Sequence, residues 1–209
     1  MSTNAELASK LSRKALLLSY FTVGYNVVEG VVAIVAGTLA GSIALIGFGL
    51  DSFMESLSGG VMIWRFRKHG KLSEEEEENI ERKATKLVGY TFFVLAIYVL
   101  YESIDKLVFQ ETPDPSLLGI IIAIVSLIIM PVLFYQKYKT GKALGSGSLV
   151  ADSKETLACM FLSFALLIGL GANYLFGFWQ ADPIVGIIIV VFLGWEGYET
   201  IKEEGLGTD

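Results

Sequence analysis

Cysteine and histidine are nearly missing from this 209-residue chain, with one of each, and there are only four prolines. The lone Cys159 forbids an internal disulfide. Charge is scarce as well: Asp, Glu, Lys and Arg make up 18% of the chain, against roughly a quarter in a soluble domain. No nucleophile–histidine pair, phosphate loop or redox motif is evident, so an enzyme is not expected. No small-residue cleavage pattern marks a signal peptide. What fills the chain is apolar: 53% of the residues are hydrophobic and the mean hydropathy is +0.58. Apolar runs of about 20 residues match the roughly 30 Å hydrocarbon core of a bilayer, which predicts an integral membrane protein.

Six segments meet that test, at 15–37, 40–64, 87–108, 117–135, 148–176 and 183–201. The predicted fold class is therefore all-α, a polytopic bundle of six transmembrane helices in contact with the lipid bilayer. A polar segment 1–14 precedes the bundle 15–201, and a short tail 202–209 follows it. Three connections, Thr38–Leu39, ETPDP at 111–115 and FWQAD at 178–182, carry no Lys or Arg. The basic residues collect instead at Lys10, Arg13 and Lys14, in the 65–86 loop, at Lys137, Lys139 and Lys142 in a 136–147 loop, and at Lys202. Orientation follows such asymmetry, so both termini and both basic loops are expected in the cytoplasm. Trp64, Tyr135, Tyr138, Phe178 and Trp179 lie near the span ends, as an aromatic belt would.

The basic loops also hold features that admit two readings. Ser73 followed by Glu74 to Glu78 reads either as a cation-attracting mouth or as a Ser-capped helix start with acids in its first turn, and the second is preferred. The stretch at 141–148, GKALGSGS, reads as a flexible linker. His69, in a basic loop, reads as a solvated surface residue. Small residues crowd the second span between Ala40 and Gly60, which suits close helix approach or a dimer face. Pro131 is expected to kink the fourth span.

Ionisable residues inside a bilayer cost a few kcal/mol each and usually mark ion or substrate pathways. Asp51 and Glu55 stand four apart and so share one face of the second span, while Asp152, Glu155 and Cys159 share one face of the fifth. At about 1.5 Å per residue, Asp51 and Cys159 each lie roughly 17 Å from opposite ends of their antiparallel spans, near the midplane. Glu55 and Glu155 then fall one turn closer to the cytoplasm, and Asp152 nearer the inner mouth. No buried base is evident on those faces, Lys154 lying about 100° around the helix from Glu155, so the cluster calls for a cation or protons. Elsewhere, Glu102 and Lys106 are expected to pair locally with Asp105 alongside, Glu29 either relays protons or bridges helices, and Glu196 and Glu199 are expected to snorkel at the inner interface.

The stretches NVVEG at 26–30, GTLAGSIALI at 37–46 and DSFME at 51–55 resemble the first two spans of the cation diffusion facilitator family of metal/proton antiporters. There a Gly-Ser-x-Ala-Leu run precedes a His/Asp-x-x-x-Asp metal pair. LVADSKE at 149–155 resembles the start of the family's fifth span, usually Ala-Asp-x-x-His-x-x-x-Asp, and ADPIVG at 181–186 its entry into the sixth. The resemblance implies a secondary transporter that exports a divalent metal against protons. It carries the ligand positions onto Asp51, Glu55, Glu155 and Cys159. Two departures leave the metal open: glutamate for histidine suits Mn²⁺ or Fe²⁺, whereas a thiolate suits Zn²⁺. Cys159 is either a ligand or a small buried filler, with Asp152 completing an all-oxygen site in the second case. The implied cargo is Zn²⁺ first, with Mn²⁺, Fe²⁺, Co²⁺ and Cd²⁺ as alternatives. No other cofactor and no nucleic acid partner is expected, and the assembly implied is a homodimer in a prokaryotic cytoplasmic membrane. With 202–209 read as a short tail, no counterpart of the family's cytoplasmic metal-binding domain is expected after the sixth span. The runner-up is a metal sensor or assembly protein that does not transport.

Overall fold

In a computed structural model the backbone of residues 2–68 and 74–203 is described, with side chains from Leu7 onward except Ala8 and those of 68–88, 200 and 203. Six helices follow one another: α1 (Ser2–Ala40), α2 (Ile43–Lys68), α3 (Glu74–Phe109), α4 (Leu117–Leu144), α5 (Gly147–Phe176) and α6 (Ala181–Glu203). Among the described residues there is no strand. By length and composition α1, α4, α5 and α6 are each able to cross a membrane. Their outward faces bear this out: Leu17, Val28 and Val35 on α1, Ile121, Ile128 and Val132 on α4 and Phe161 and Ile168 on α5 are exposed. The interior, by contrast, holds Ser19, Thr22, Asn26, Ser126 and Ser163. Apolar outside and polar inside is the distribution a lipid solvent favours, because buried side-chain polar groups find partners only within the bundle.

The helices pack mainly as pairs, α1 on α2, α4 on α5 and α3 on α6. The small residues of α2 serve the first pair. A Cβ added to Gly49 would meet the carbonyl oxygen of Gly30 at 2.9 Å, and one added to Gly30 would meet that of Gly49 at the same distance. The two backbones therefore touch where neither chain carries a side chain. Phe48, Leu45, Val99, Met130, Leu162, Leu166, Ile189 and Leu193 fill the core between the pairs.

The expected spans and the helices agree closely at one end of the bundle and poorly at the other. Helix α4 begins at Leu117 and α5 ends at Phe176, as the hydropathy predicts, and the turns there are stitched by hydrogen bonds. Asn173 Nδ2 donates to Pro113 O at 3.0 Å and the Asp114 amide to Ala40 O at 2.8 Å. At the opposite end the 141–148 segment is not a linker. Helix α4 continues to Leu144, Gly145 closes it in the left-handed region at φ 66°, and Ser146 starts α5 by accepting from the Leu149 amide. Gly145 is the residue type that adopts this conformation without strain. The 136–147 loop is thereby reduced to a tight turn, and Lys137 belongs to a helix. Helix α3 begins at Glu74, so the glutamate run opens a helix; Ser73, His69 and the tail from 204 lie outside the described residues.

Candidate metal centre

Helices α2 and α5 pack together and bring their two acidic faces into one buried region. Asp51, Glu55, Asp152 and Cys159 are all buried, and Glu155 is half-buried. The geometry separates them into two levels, and it joins Asp152 to Glu55 rather than setting it apart nearer the inner mouth as expected. On the first, Cys159 and Asp51 are neighbours. On the second stand Glu55, Asp152 and Glu155.

The second level contains a base the sequence reading placed in a loop. Lys137 of α4 is fully buried, with its ammonium 3.0 Å from Asp152 Oδ2 and 3.5 Å from Glu55 Oε1. It donates to Thr156 Oγ1 at 2.8 Å, and the Thr156 hydroxyl donates in turn to Glu55 Oε1 at 2.5 Å. The expectation that no buried base faces the acids is therefore wrong. Lys154, which was expected to be the nearest cation, is exposed. The signal that would have found Lys137 is helical periodicity: Ser126, Met130, Leu133, Lys137 and Thr140 are all buried at spacings of three and four. Thr156 could be read the same way, one turn after Asp152.

Lys137 does not satisfy the acids. Glu55 Oε2, both Asp152 carboxylate oxygens and Glu155 Oε2 are buried side-chain oxygens with no hydrogen-bond partner, Asp152 Oδ2 being held by the Lys137 ion pair alone. Native interiors contain few such atoms, and each asks for an ion, a proton or a water. No three His, Cys, Asp or Glu side chains among the described residues converge tightly enough to hold a metal ion as they stand.

Other acids take different places. Glu29 of α1 accepts from Tyr25 Oη at 2.7 Å and from Ser52 Oγ at 3.0 Å, which joins α1 to α2 beside Asp51. Glu196 of α6 is buried, contrary to the expectation that it snorkels, whereas Glu199 is half-buried. Helix α6 packs on α3, α5 and α2, and Glu196 lies on its buried side with Leu193 and Gly197. Lys106 pairs with Glu111 at 3.4 Å rather than with Glu102, because the turn after α3 brings Glu111 back over it. At the far end of the bundle Asp182 accepts from the Ser42 hydroxyl and from the Ile43 amide at 2.9 Å, capping α2 from α6.

A family model described as the cation efflux transmembrane domain matches residues 19–206. The chain belongs to the cation efflux family. Among relatives, transmembrane protein 163 of Xenopus laevis is 24% identical over 94% of this chain and 69% of its own length. The magnetosome protein MamB of Magnetospira sp. (strain QH-2) is 26% identical over 86% of this chain and 61% of its own. An uncharacterized transporter of Methanocaldococcus jannaschii is 24% identical over 86% and 64%. The chain thus spans between about three fifths and two thirds of these relatives. It is an integral membrane protein of a family of cation transporters, and the resemblance read from residues 26–55, 149–155 and 181–186 holds.

Proposed function

We propose that this chain is a secondary transporter that moves a divalent transition-metal ion out of the cytoplasm in exchange for protons. All six helices cross the bilayer in this reading, with residues 2 and 203 on the cytoplasmic side, and two copies form the working unit. Asp51, Glu55, Glu155, Asp152 and Cys159 supply the donors, Zn²⁺ being favoured and Mn²⁺, Fe²⁺, Co²⁺ and Cd²⁺ the alternatives. One observation carries the reading: four carboxylate oxygens, on Glu55, Asp152 and Glu155, are buried without hydrogen-bond partners inside a cation efflux bundle. Metal ligands must be deprotonated to bind, so metal and protons exclude one another at these groups, and that exclusion couples their fluxes.

A second reading has its own observation. Lys137 already engages Glu55 and Asp152, so a form that binds metal without turnover, a sensor or an assembly protein, also fits the bundle. Flux decides between them. In proteoliposomes offered Zn²⁺, Mn²⁺, Fe²⁺, Co²⁺ and Cd²⁺ in turn, the transporter accumulates at least one metal while protons move the opposite way. Metal binding without accumulation identifies the sensor.

A further inference from the structure

Lys137 is buried in a protein interior that holds an excess of acid around it. Its ammonium donates to Glu55 on α2 and to Thr156 on α5 and forms an ion pair with Asp152 on α5, so three groups from two other helices surround it. Two carboxylates and a hydroxyl around a single positive charge form a cation's coordination shell with a tethered cation inside it. The charge count points the same way. Glu55, Asp152 and Glu155 bring three formal negative charges against the one positive charge of Lys137, which leaves spare negative charge for a further cation. With the ammonium in place, no three His, Cys, Asp or Glu side chains among the described residues converge to hold a metal ion.

We infer that Lys137 is a built-in competitor of the transported ion: its ammonium holds Glu55 and Asp152 in the metal-free protein and must leave them before a divalent cation can take both. This rests on the metal-transport reading above and adds to it a residue that sets affinity without ligating metal. A side chain on α4 then makes metal entry depend on the packing of α4 against α5, where the two helices lie closest to the Gly145–Ser146 turn. Lys137 stands seven residues from the end of α4, about 10 Å along the axis. Competition, unlike a purely structural ion pair, predicts that only the substitution that removes the charge tightens metal binding. Lys137→Met removes the charge and keeps the length; Lys137→Arg keeps the charge and pairs with carboxylates through a planar fork.

The test is ZnCl₂ and MnCl₂ binding to the full chain in detergent micelles at fixed pH, by calorimetry, with helicity and monodispersity checked for each variant. Lys137→Met should bind at least one of the two metals about tenfold more tightly than the unmodified protein, a change within the range of ordinary coupling between sites. Lys137→Arg should bind it no more tightly, or less. Should Lys137→Met fail to fold, Thr156→Val decides, since it strips the hydroxyl that holds the ammonium in place and should tighten binding by a few-fold. Unchanged or weaker binding in a folded Lys137→Met, or in Thr156→Val where that variant decides, overturns the competitor role and leaves the transport reading standing. Absence of metal binding in every form, the unmodified protein included, overturns both.

Discussion

Asp152 and Asp182 are both buried aspartates near the start of a helix, and the structure treats them differently. Asp182 has one oxygen on the Ser42 hydroxyl and the other on the Ile43 amide, so both are taken by fixed donors of the protein. Asp152 has one oxygen on the mobile end of a lysine and the other on nothing. The first arrangement holds α6 to α2 and leaves no capacity for a ligand. The second leaves capacity at the cost of stability, since an unpartnered buried acceptor forfeits about 1–3 kcal/mol. Buried charge alone therefore does not mark a transport site in this bundle; spare acceptor capacity does.

The largest test of that distinction is Asp51→Ala. Asp51 forms no ion pair among the described residues and neighbours Cys159. Its removal should abolish metal flux in proteoliposomes while the protein still inserts and keeps its melting temperature, because a repelling acid has been taken from an acidic cavity. Flux retained in Asp51→Ala would put the site elsewhere. Next in size comes the response to protons. Metal affinity should fall steeply as the pH is lowered from about 8 to about 6, because protons neutralise the carboxylate and thiol donors that the metal needs. An imposed proton gradient should likewise drive metal against its own gradient. Affinity flat across that range, with flux blind to the gradient, would describe a passive conduit or a sensor.

The comparison also explains what could be read from the residues. At the Asp182 end the span ends were legible to within a few residues, since Gly, Pro and acidic residues interrupt the apolar runs where the helices themselves stop. At the Lys137 end they were not. Hydropathy falls at the first Lys after Tyr135, but nothing there breaks a helix until Gly145, so α4 outlasts its apolar run by two turns. The same error that shortened the helix turned Lys137 into a loop residue and made the acid cluster look unpaired. The two levels of acids, by contrast, depend only on spacing within α2 and α5, and those faces were legible. Glu196 was misjudged for the reason Lys137 was: its distance along the helix suggested the interface, while its position around the helix faces inward.

A subtler effect is expected at Cys159, which is buried beside Asp51 and belongs to the same level. If its sulfur is a donor, Cys159→Ser should weaken Zn²⁺ and Cd²⁺ binding far more than Mn²⁺ binding, because a soft ligand is exchanged for a hard one. The readout is the ratio of affinities, which a packing defect would leave unchanged. Equal losses for all three metals would make Cys159 a filler, and the site would then consist of oxygens alone.

The smallest effect should come from the other half of the comparison. Asp182→Ala removes both acceptor oxygens at the start of α2, leaving the Ile43 amide and the Ser42 hydroxyl without their partner on α6. Ser42 itself still accepts from the Leu45 amide at 3.1 Å, so α2 keeps one cap of its own. Loss of a capping acceptor typically costs about 1–2 kcal/mol, which should appear as a lowered melting temperature in detergent. Transport per folded molecule should not change, since Asp182 sits at the first turn of α2, about 18 Å along the helix from Glu55, and has no free oxygen to offer a metal. A lowered flux with an unchanged melting temperature would reverse the assignment: Asp182 would then serve the exit path, and spare acceptor capacity would no longer separate the acids that carry the ion from those that hold the fold.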